Sequence, residues 1–328
     1  MSISKELMLK LQNGSDVRGV AVEGVEGQQV NLTGEAANLI AQAFALWLAQ
    51  RTGKPASELK IGVGHDSRVS APALLSQVLQ GLAVQGAQPF DCGLASTPSM
   101  FMSVVFPETR FDGSIMITAS HLPYNRNGLK FFNADGGLEH ADITDLLETA
   151  AVLSAGQADI SKVSKVDLIS LYAQSLCEKI RLGVKADDYD RPLAGLHIVV
   201  DAGNGAGGFF VRQVLEPLGA DTAGSQFLEP DGMFPNHIPN PENKQAMDSV
   251  RAATVEHHAD MGIIFDTDVD RMSAVLHDGS EVNRDAIIAM ISAIIAPVSG
   301  RYDRYGFRDL GQADRFSGEH AASQASPL

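Results

Sequence analysis

The stretch IIFDTDVDRMS carries Asp266, Asp268 and Asp270 at alternate positions, directly after an apolar run. Three carboxylates so close together repel one another unless a cation neutralises them. Hard oxygen donors at this spacing suit Mg²⁺. An EF-hand is excluded, because Arg271 stands at the sixth position where glycine is needed and His277 at the twelfth where glutamate is needed. Arg271 and the preceding apolar strand favour a built site over an exposed acidic turn. A second stretch, TASHLPYNRNGLKFF, sets Ser120 beside His121 and places Lys130 further on. The run before it, GSIMI, reads as a short buried strand, and ligands of α/β sheets bind on the loops where strands end. Taken alone, such a serine reads first as a cap or turn residue.

Two more loops carry charges that a core does not need. NGSDVRGV holds Arg18, and GHDSRVSAP holds Asp66 and Arg68 just after a strand. Each by itself reads as a turn with a solvated ion pair. A third signal is LHIVVDAGNGAGG, in which Gly203, Gly205 and Gly208 satisfy the G-x-G-x-x-G spacing after a strand and Glu229 lies where a ribose-binding acid would be expected. A dinucleotide-binding oxidoreductase is therefore one reading. Against it, Asn204 occupies the tight turn, and the glycines have a second use in letting a helix start close to its strand.

The elements that would position these loops alternate along the chain. LKIGVG is followed by PALLSQVLQGLAVQG and PFDCG; later LHIVVDA is followed by GGFFVRQVLEPLGA, and MGIIFD by a polar loop. This is the rhythm of a mostly parallel sheet with helices on both faces. A helical segment over 167–182 and the polar piece KADDYDRPLAG separate two such units, which puts a boundary between about residues 150 and 165.

Composition narrows the partners. The 328 residues are 45% hydrophobic and 20% charged, an ordinary globular balance. No apolar run reaches the roughly 18 residues of a membrane span, so no membrane partner is expected. The formal net charge of −15 argues against nucleic acid, which demands a basic face. Cys92 and Cys177 show no metal spacing, and the N-terminal residues resemble neither a secretory signal nor a transit peptide, so a reducing, cytoplasmic location is expected.

Taken in order, these loops resemble the α-D-phosphohexomutase family, the phosphoglucomutases and phosphomannomutases. TASHLP is similar to its phosphoserine motif, usually TASHNP; DTDVDR is similar to its metal loop, usually DGDGDR; GHDSRVS and DAGNGAG resemble two further family segments. The resemblance implies an α/β fold of two mixed, mostly parallel α/β/α sandwich domains: 1–155 with the phosphoserine loop and 156–297 with the metal loop, followed by an irregular tail over 298–328. It implies that Ser120 is phosphorylated and, with Asp266, Asp268 and Asp270, holds Mg²⁺. His121 and Lys130 would move protons or steady the phosphate, and Arg18 and Arg271 would supply positive charge beside it. The reaction implied moves a phosphoryl group between the 1- and 6-positions of a glucose or mannose phosphate. Two departures stand out. Leu122 replaces an asparagine, and Thr267 and Val269 replace the two glycines of the metal loop, so that loop must close with ordinary backbone angles or distort.

Family members have four domains, of which the third reads the sugar and the fourth grips the substrate phosphate. This sequence is expected to lack both, and so to be weakly active or inactive, or to be a non-catalytic folded fragment. From about Ser299 the tail has no helical or strand period. Gly300 to Arg315, written in codons and read one base later, resembles the start of the family's third domain, so a reading-frame slip near Pro297 to Gly300 is expected. Gly318, Glu319 and His320 are not read as the sugar loop, because no strand-helix unit precedes them.

Overall fold

The computed structural model describes residues 3–295. The expectations for the tail at 298–328, including the frame slip, lie outside these residues. The chain divides into two compact units, Met1–Glu281 and Val282–Leu328.

The first unit contains two sheets. Eleven strands occur in it among the described residues: β1 Gln12–Asn13, β2 Asp16–Val20, β3 Lys60–His65, β4 Gln88–Leu94, β5 Gly113–Ile117, β6 Arg126–Asn133, β7 Gly136–Gly137, β8 Ser164–Lys165, β9 Ile198–Asp201, β10 Met261–Phe265 and β11 Met272–Leu276. The larger sheet has the order β1-β2-β6-β5-β3-β4-β8, with β7 beside β6. β5, β3, β4 and β8 run parallel, whereas β6 joins β5, β2 and β7 antiparallel. β8 lies beyond residue 155 and still pairs with this sheet. The smaller sheet, β11-β10-β9, is parallel between β9 and β10 and antiparallel at β11. The architecture is mixed α/β.

Helices α1 (Lys5–Leu9), α2 (Gly34–Thr52), α3 (Ala71–Val84), α4 (Thr97–Met102), α5 (His140–Ala150), α6 (Leu168–Val184) and α7 (Lys244–Glu256) accompany the sheets. Every residue of β5 is buried, as its unbroken apolar run demands. On β3, Gly62 and Gly64 leave room for Phe111, Met100 and Ala95 to lie directly on the strand; a Cβ at Gly62 would come within 2.5 Å of the Phe111 ring. α6 starts where its sequence signals it should, with the Asp167 carboxylate accepting from Ser170 N–H at 3.2 Å. The GGFFVRQVLEPLGA pattern becomes a short π-helical turn over Phe210–Leu215. No helix among the described residues is long and apolar enough to cross a membrane.

In the second unit the described element is helix α8 (Arg284–Ile295). Asn283 Oδ1 caps its first turn by accepting from Asp285 N–H at 2.7 Å. Ile288, Met290, Ile291 and Ile294 are exposed on it.

Candidate active site

Ser120 follows β5 at its C-terminal end and is buried, with φ at +51°. A serine adopts this left-handed angle only when the surroundings impose it, and here they do. The side chain of Thr118 accepts from Ser120 N–H at 2.8 Å. From the other side the Arg68 guanidinium donates to four carbonyls of the same loop: Ser120 at 2.5 Å, Leu122 at 2.6 Å, Pro123 at 2.7 Å and Arg126 at 2.9 Å. The expectation that Asp66 and Arg68 form a solvated ion pair is overturned. Both are buried, with Arg68 Nε 3.3 Å from Asp66 Oδ2. The loop wraps around the guanidinium because one planar five-donor group satisfies several backbone acceptors at once. The Phe234 ring lies 5.4 Å over it, and Gly232 packs against the backbone of Ser67, Arg68 and Val69 in a space that admits no Cβ.

The aspartate loop follows buried β10 and faces this serine. Ser120 Oγ donates to Asp266 Oδ2 at 2.8 Å, across 146 residues of sequence. Asp266, Asp268 and Asp270 each bring a carboxylate oxygen within 4.8 Å of the others. Burial first, and then the charges of Asp268 and Asp270, push the Asp266 carboxyl up to about 8. Burial would raise Asp268 as well, but the Lys130 ammonium, the Thr97 hydroxyl and Arg18 outweigh it and hold that carboxyl below its ordinary value. Asp268 Oδ1 is buried without a hydrogen-bond partner. A buried carboxylate oxygen without a donor costs free energy that a cation would remove. This group could therefore hold a metal ion, and its all-oxygen donor set fits a hard divalent cation.

The other residues expected at the site converge on the same place. Lys130, on β6, lies 2.6 Å from Asp270 Oδ2 and 3.3 Å from Asp268 Oδ2. Burial alone would lower its pKa, but these two carboxylates raise it above its ordinary value, so it stays an ammonium at neutral pH. Arg271 donates through Nη2 to Ser120 Oγ and to His121 Nδ1, and its Nε lies 3.3 Å from Asp266 Oδ2. Burial and then the Arg271 charge lower His121 below its ordinary value, which leaves a neutral imidazole beside the serine. Arg18, on β2, donates to the Thr118 carbonyl and to Asp16 Oδ2, the latter at 2.7 Å.

Val269 resolves the question posed by the missing glycines. It takes φ of +64°, a conformation that costs a β-branched residue on the order of 1–2 kcal/mol; Thr267 is not among the residues with positive φ. The glycine-rich turn after β9 packs on this same loop. Ala206 N–H donates to the Thr267 carbonyl at 2.8 Å, Gly205 approaches Thr267 where a Cβ would meet backbone, and Gly208 does the same against the Leu228 carbonyl. Glu229 is exposed and paired with Arg212. The close approaches that the glycines permit are thus to the chain itself.

One contact was not foreseen. Thr97, at the start of α4, donates from its backbone N–H to the Asp268 carbonyl at 2.8 Å and from its hydroxyl to Asp268 Oδ2 at 2.5 Å.

Fold and site together define an α/β protein in which a candidate metal loop is set against a buried serine. Residues 9–152 match the domain described as "Phosphoglucomutase/phosphomannomutase, alpha/beta/alpha domain I", and residues 171–279 match the corresponding domain II. The chain belongs to the phosphoglucomutase/phosphomannomutase family. It is 32% identical over 251 residues to the phosphomannomutase/phosphoglucomutase of Pseudomonas putida, covering 76% of this chain and 51% of that protein. To the phosphoglucosamine mutase of Frankia casuarinae it is 34% identical over 299 residues, covering 88% of this chain and 61% of that one. A phosphoglucomutase/phosphomannomutase family protein from Burkholderia thailandensis superposes with a TM-score of 0.72 at 26% identity, covering 91% of this chain and 60% of that chain. The chain spans little more than half the length of these curated relatives.

Proposed function

We propose that this chain supplies the phosphoryl-carrying serine and the metal loop of a phosphohexomutase reaction, in which a phosphoryl group moves between the 1- and 6-positions of glucose or mannose phosphate. The observation that carries the reading is the meeting of Ser120 Oγ with Asp266 Oδ2 at 2.8 Å, inside a cluster of three carboxylates and two cationic side chains. The division into 1–155 and 156–297, each contributing one loop to this cluster, belongs to the same proposal, as does a cytoplasmic location, which the buried free thiols of Cys92 and Cys177 support.

Mg²⁺ held by Asp266, Asp268, Asp270 and an oxygen on Ser120 would supply positive charge that withdraws electron density from the phosphoryl oxygens. The neutral His121 imidazole is suited to take the proton of an attacking hydroxyl. Arg271, already on Ser120 Oγ, and Lys130 neutralise charge around the transferring group, and Arg18 adds positive charge from behind the serine loop. Arg68 keeps Ser120 in its left-handed turn. The hexose phosphate would meet these groups at the C-terminal ends of the strands.

Intact-mass analysis after incubation with a hexose 1,6-bisphosphate and Mg²⁺ tests the reading. One added phosphoryl group, located on Ser120 and missing in S120A, is the expected result. An unmodified Ser120 with tight NADH binding would favour the dinucleotide reading instead.

A further inference from the structure

We propose that Thr97 is a positioning residue for the metal loop: its hydroxyl fixes which oxygen of Asp268 is offered to the cation. The inference rests on the metal reading above.

Thr97 is the first residue of α4, a position whose backbone N–H has no partner within its own helix. The flanking serines anchor that end. Ser96 Oγ accepts from Ser99 N–H at 3.2 Å while Ser99 Oγ accepts from Ser96 N–H at 3.0 Å. The orphan Thr97 N–H is thereby aimed outward, and the Asp268 carbonyl accepts it at 2.8 Å. With the backbone pinned, the Thr97 hydroxyl reaches Asp268 Oδ2 at 2.5 Å. The two bonds join segments 171 residues apart, and both partners are buried.

The consequence falls on the two oxygens of one carboxylate. Oδ2 is already engaged, by the Thr97 hydroxyl and by Lys130 at 3.3 Å. Oδ1 is buried and has no hydrogen-bond partner. A carboxylate whose one oxygen is held by a fixed donor cannot rotate freely, so which oxygen stays open to a cation is fixed, in a group whose three carboxylates each bring an oxygen within 4.8 Å of the others. Ligand carboxylates elsewhere depend on such outer partners, and losing one typically weakens metal affinity by about 10–100-fold. Valine at this position would keep the size, the branching and the backbone bond to the Asp268 carbonyl, and remove only the hydroxyl donor. Serine would keep the donor and lose a methyl group.

The test is titration of the purified chain with MgCl₂ alone by calorimetry, with manganese paramagnetic resonance as a second readout, for wild type, T97V, T97S and D268N. T97V should bind about 10–100-fold more weakly than wild type, and T97S should bind close to wild type. Rescue by serine separates the donor from packing, since a purely structural role would make the loss of the methyl group matter and the loss of the hydroxyl not. Wild-type affinity in T97V, or equal weakening in T97V and T97S, would overturn the inference while leaving the metal loop in place. A wild-type chain that binds neither ion any better than D268N does would overturn the metal reading, and this inference with it.

Discussion

The serine turn and the aspartate turn each force a non-glycine residue into the left-handed region, Ser120 at φ +51° and Val269 at φ +64°, yet they are held in opposite ways. The serine turn carries its own cation: Arg68 donates to four carbonyls, and its Nε lies 3.3 Å from the one buried carboxylate there, Asp66. The aspartate turn is electrostatically unfinished, with three carboxylates gathered within 4.8 Å, one of them pushed up to about 8 and another with an oxygen buried without a partner. The difference teaches where a ligand can act. The first turn already faces its carboxylate with a cation, whereas the second has more negative charge than its own side chains neutralise by such a clamp.

The largest effect should come from breaking the turn that Arg68 clamps. R68M would leave Asp66 buried without its cation and four carbonyls without a donor, a loss of about 3–5 kcal/mol. Urea unfolding measures it, and a loss under ~1 kcal/mol would show that the clamp behaves like a surface pair.

Removing a carboxylate from the unfinished turn comes next. D268N should lower Mg²⁺ affinity by on the order of 100-fold, about 2.7 kcal/mol. Calorimetry with unchanged affinity would remove the metal assignment.

Acidity should move the same turn by a smaller amount. In the folded chain Asp266 keeps its proton up to about pH 8, whereas an unfolded aspartate loses it near ~3.9. The folded state therefore binds the extra proton between those limits. This group makes the metal-free chain less stable as pH rises through that window, and fully favourable only below the unfolded value. Mg²⁺ must displace the same proton, so its affinity should rise about tenfold per pH unit until Asp266 is ionised and then level off. A flat profile from pH 6 to 8, or an identical one in D266N, would contradict this assignment.

V269G should change least. It relieves about 1–2 kcal/mol of left-handed strain but gives up the packing of a half-buried side chain on the second core and adds freedom to the unfolded chain. The net should lie within about 0.5 kcal/mol of wild type. A loss above ~2 kcal/mol, as for a well-packed valine, would show that the loop carries no strain at this residue.

The contrast also marks what could be read from the sequence. β5 and β10 were legible because buried strands need unbroken apolar runs, and the aspartates after β10 because three alternating carboxylates repel without a cation. Ser120 alone reads as a cap or turn residue and stood out only through the resemblance of TASHLP to a phosphoserine motif. Asp66 and Arg68 were misread as solvated because the partners of Arg68 are backbone carbonyls, which every sequence contains and no pattern reveals. Thr97 gave no signal at all. STPS reads as an ordinary helix start, and its second role exists only through a contact spanning 171 residues. The antiparallel half of the large sheet was hidden for a similar reason, since β6 meets β2 and β5 by long-range register that the alternation of strands and helices does not encode.

The place of Arg68 in the chain also sets an order of assembly during synthesis. Its carbonyl partners arrive within 58 residues, whereas Gly232 and Phe234, which cover it, emerge more than a hundred residues later. At roughly 5–20 residues per second, a ribosome leaves the guanidinium without that cover for on the order of ten seconds. Its bonds to the serine loop are expected to form in that interval, so that the second domain closes over a turn already made. Stalled nascent chains ending near residue 200 should therefore already protect the serine turn from proteolysis. An unprotected turn at that length would mean that the domains close together.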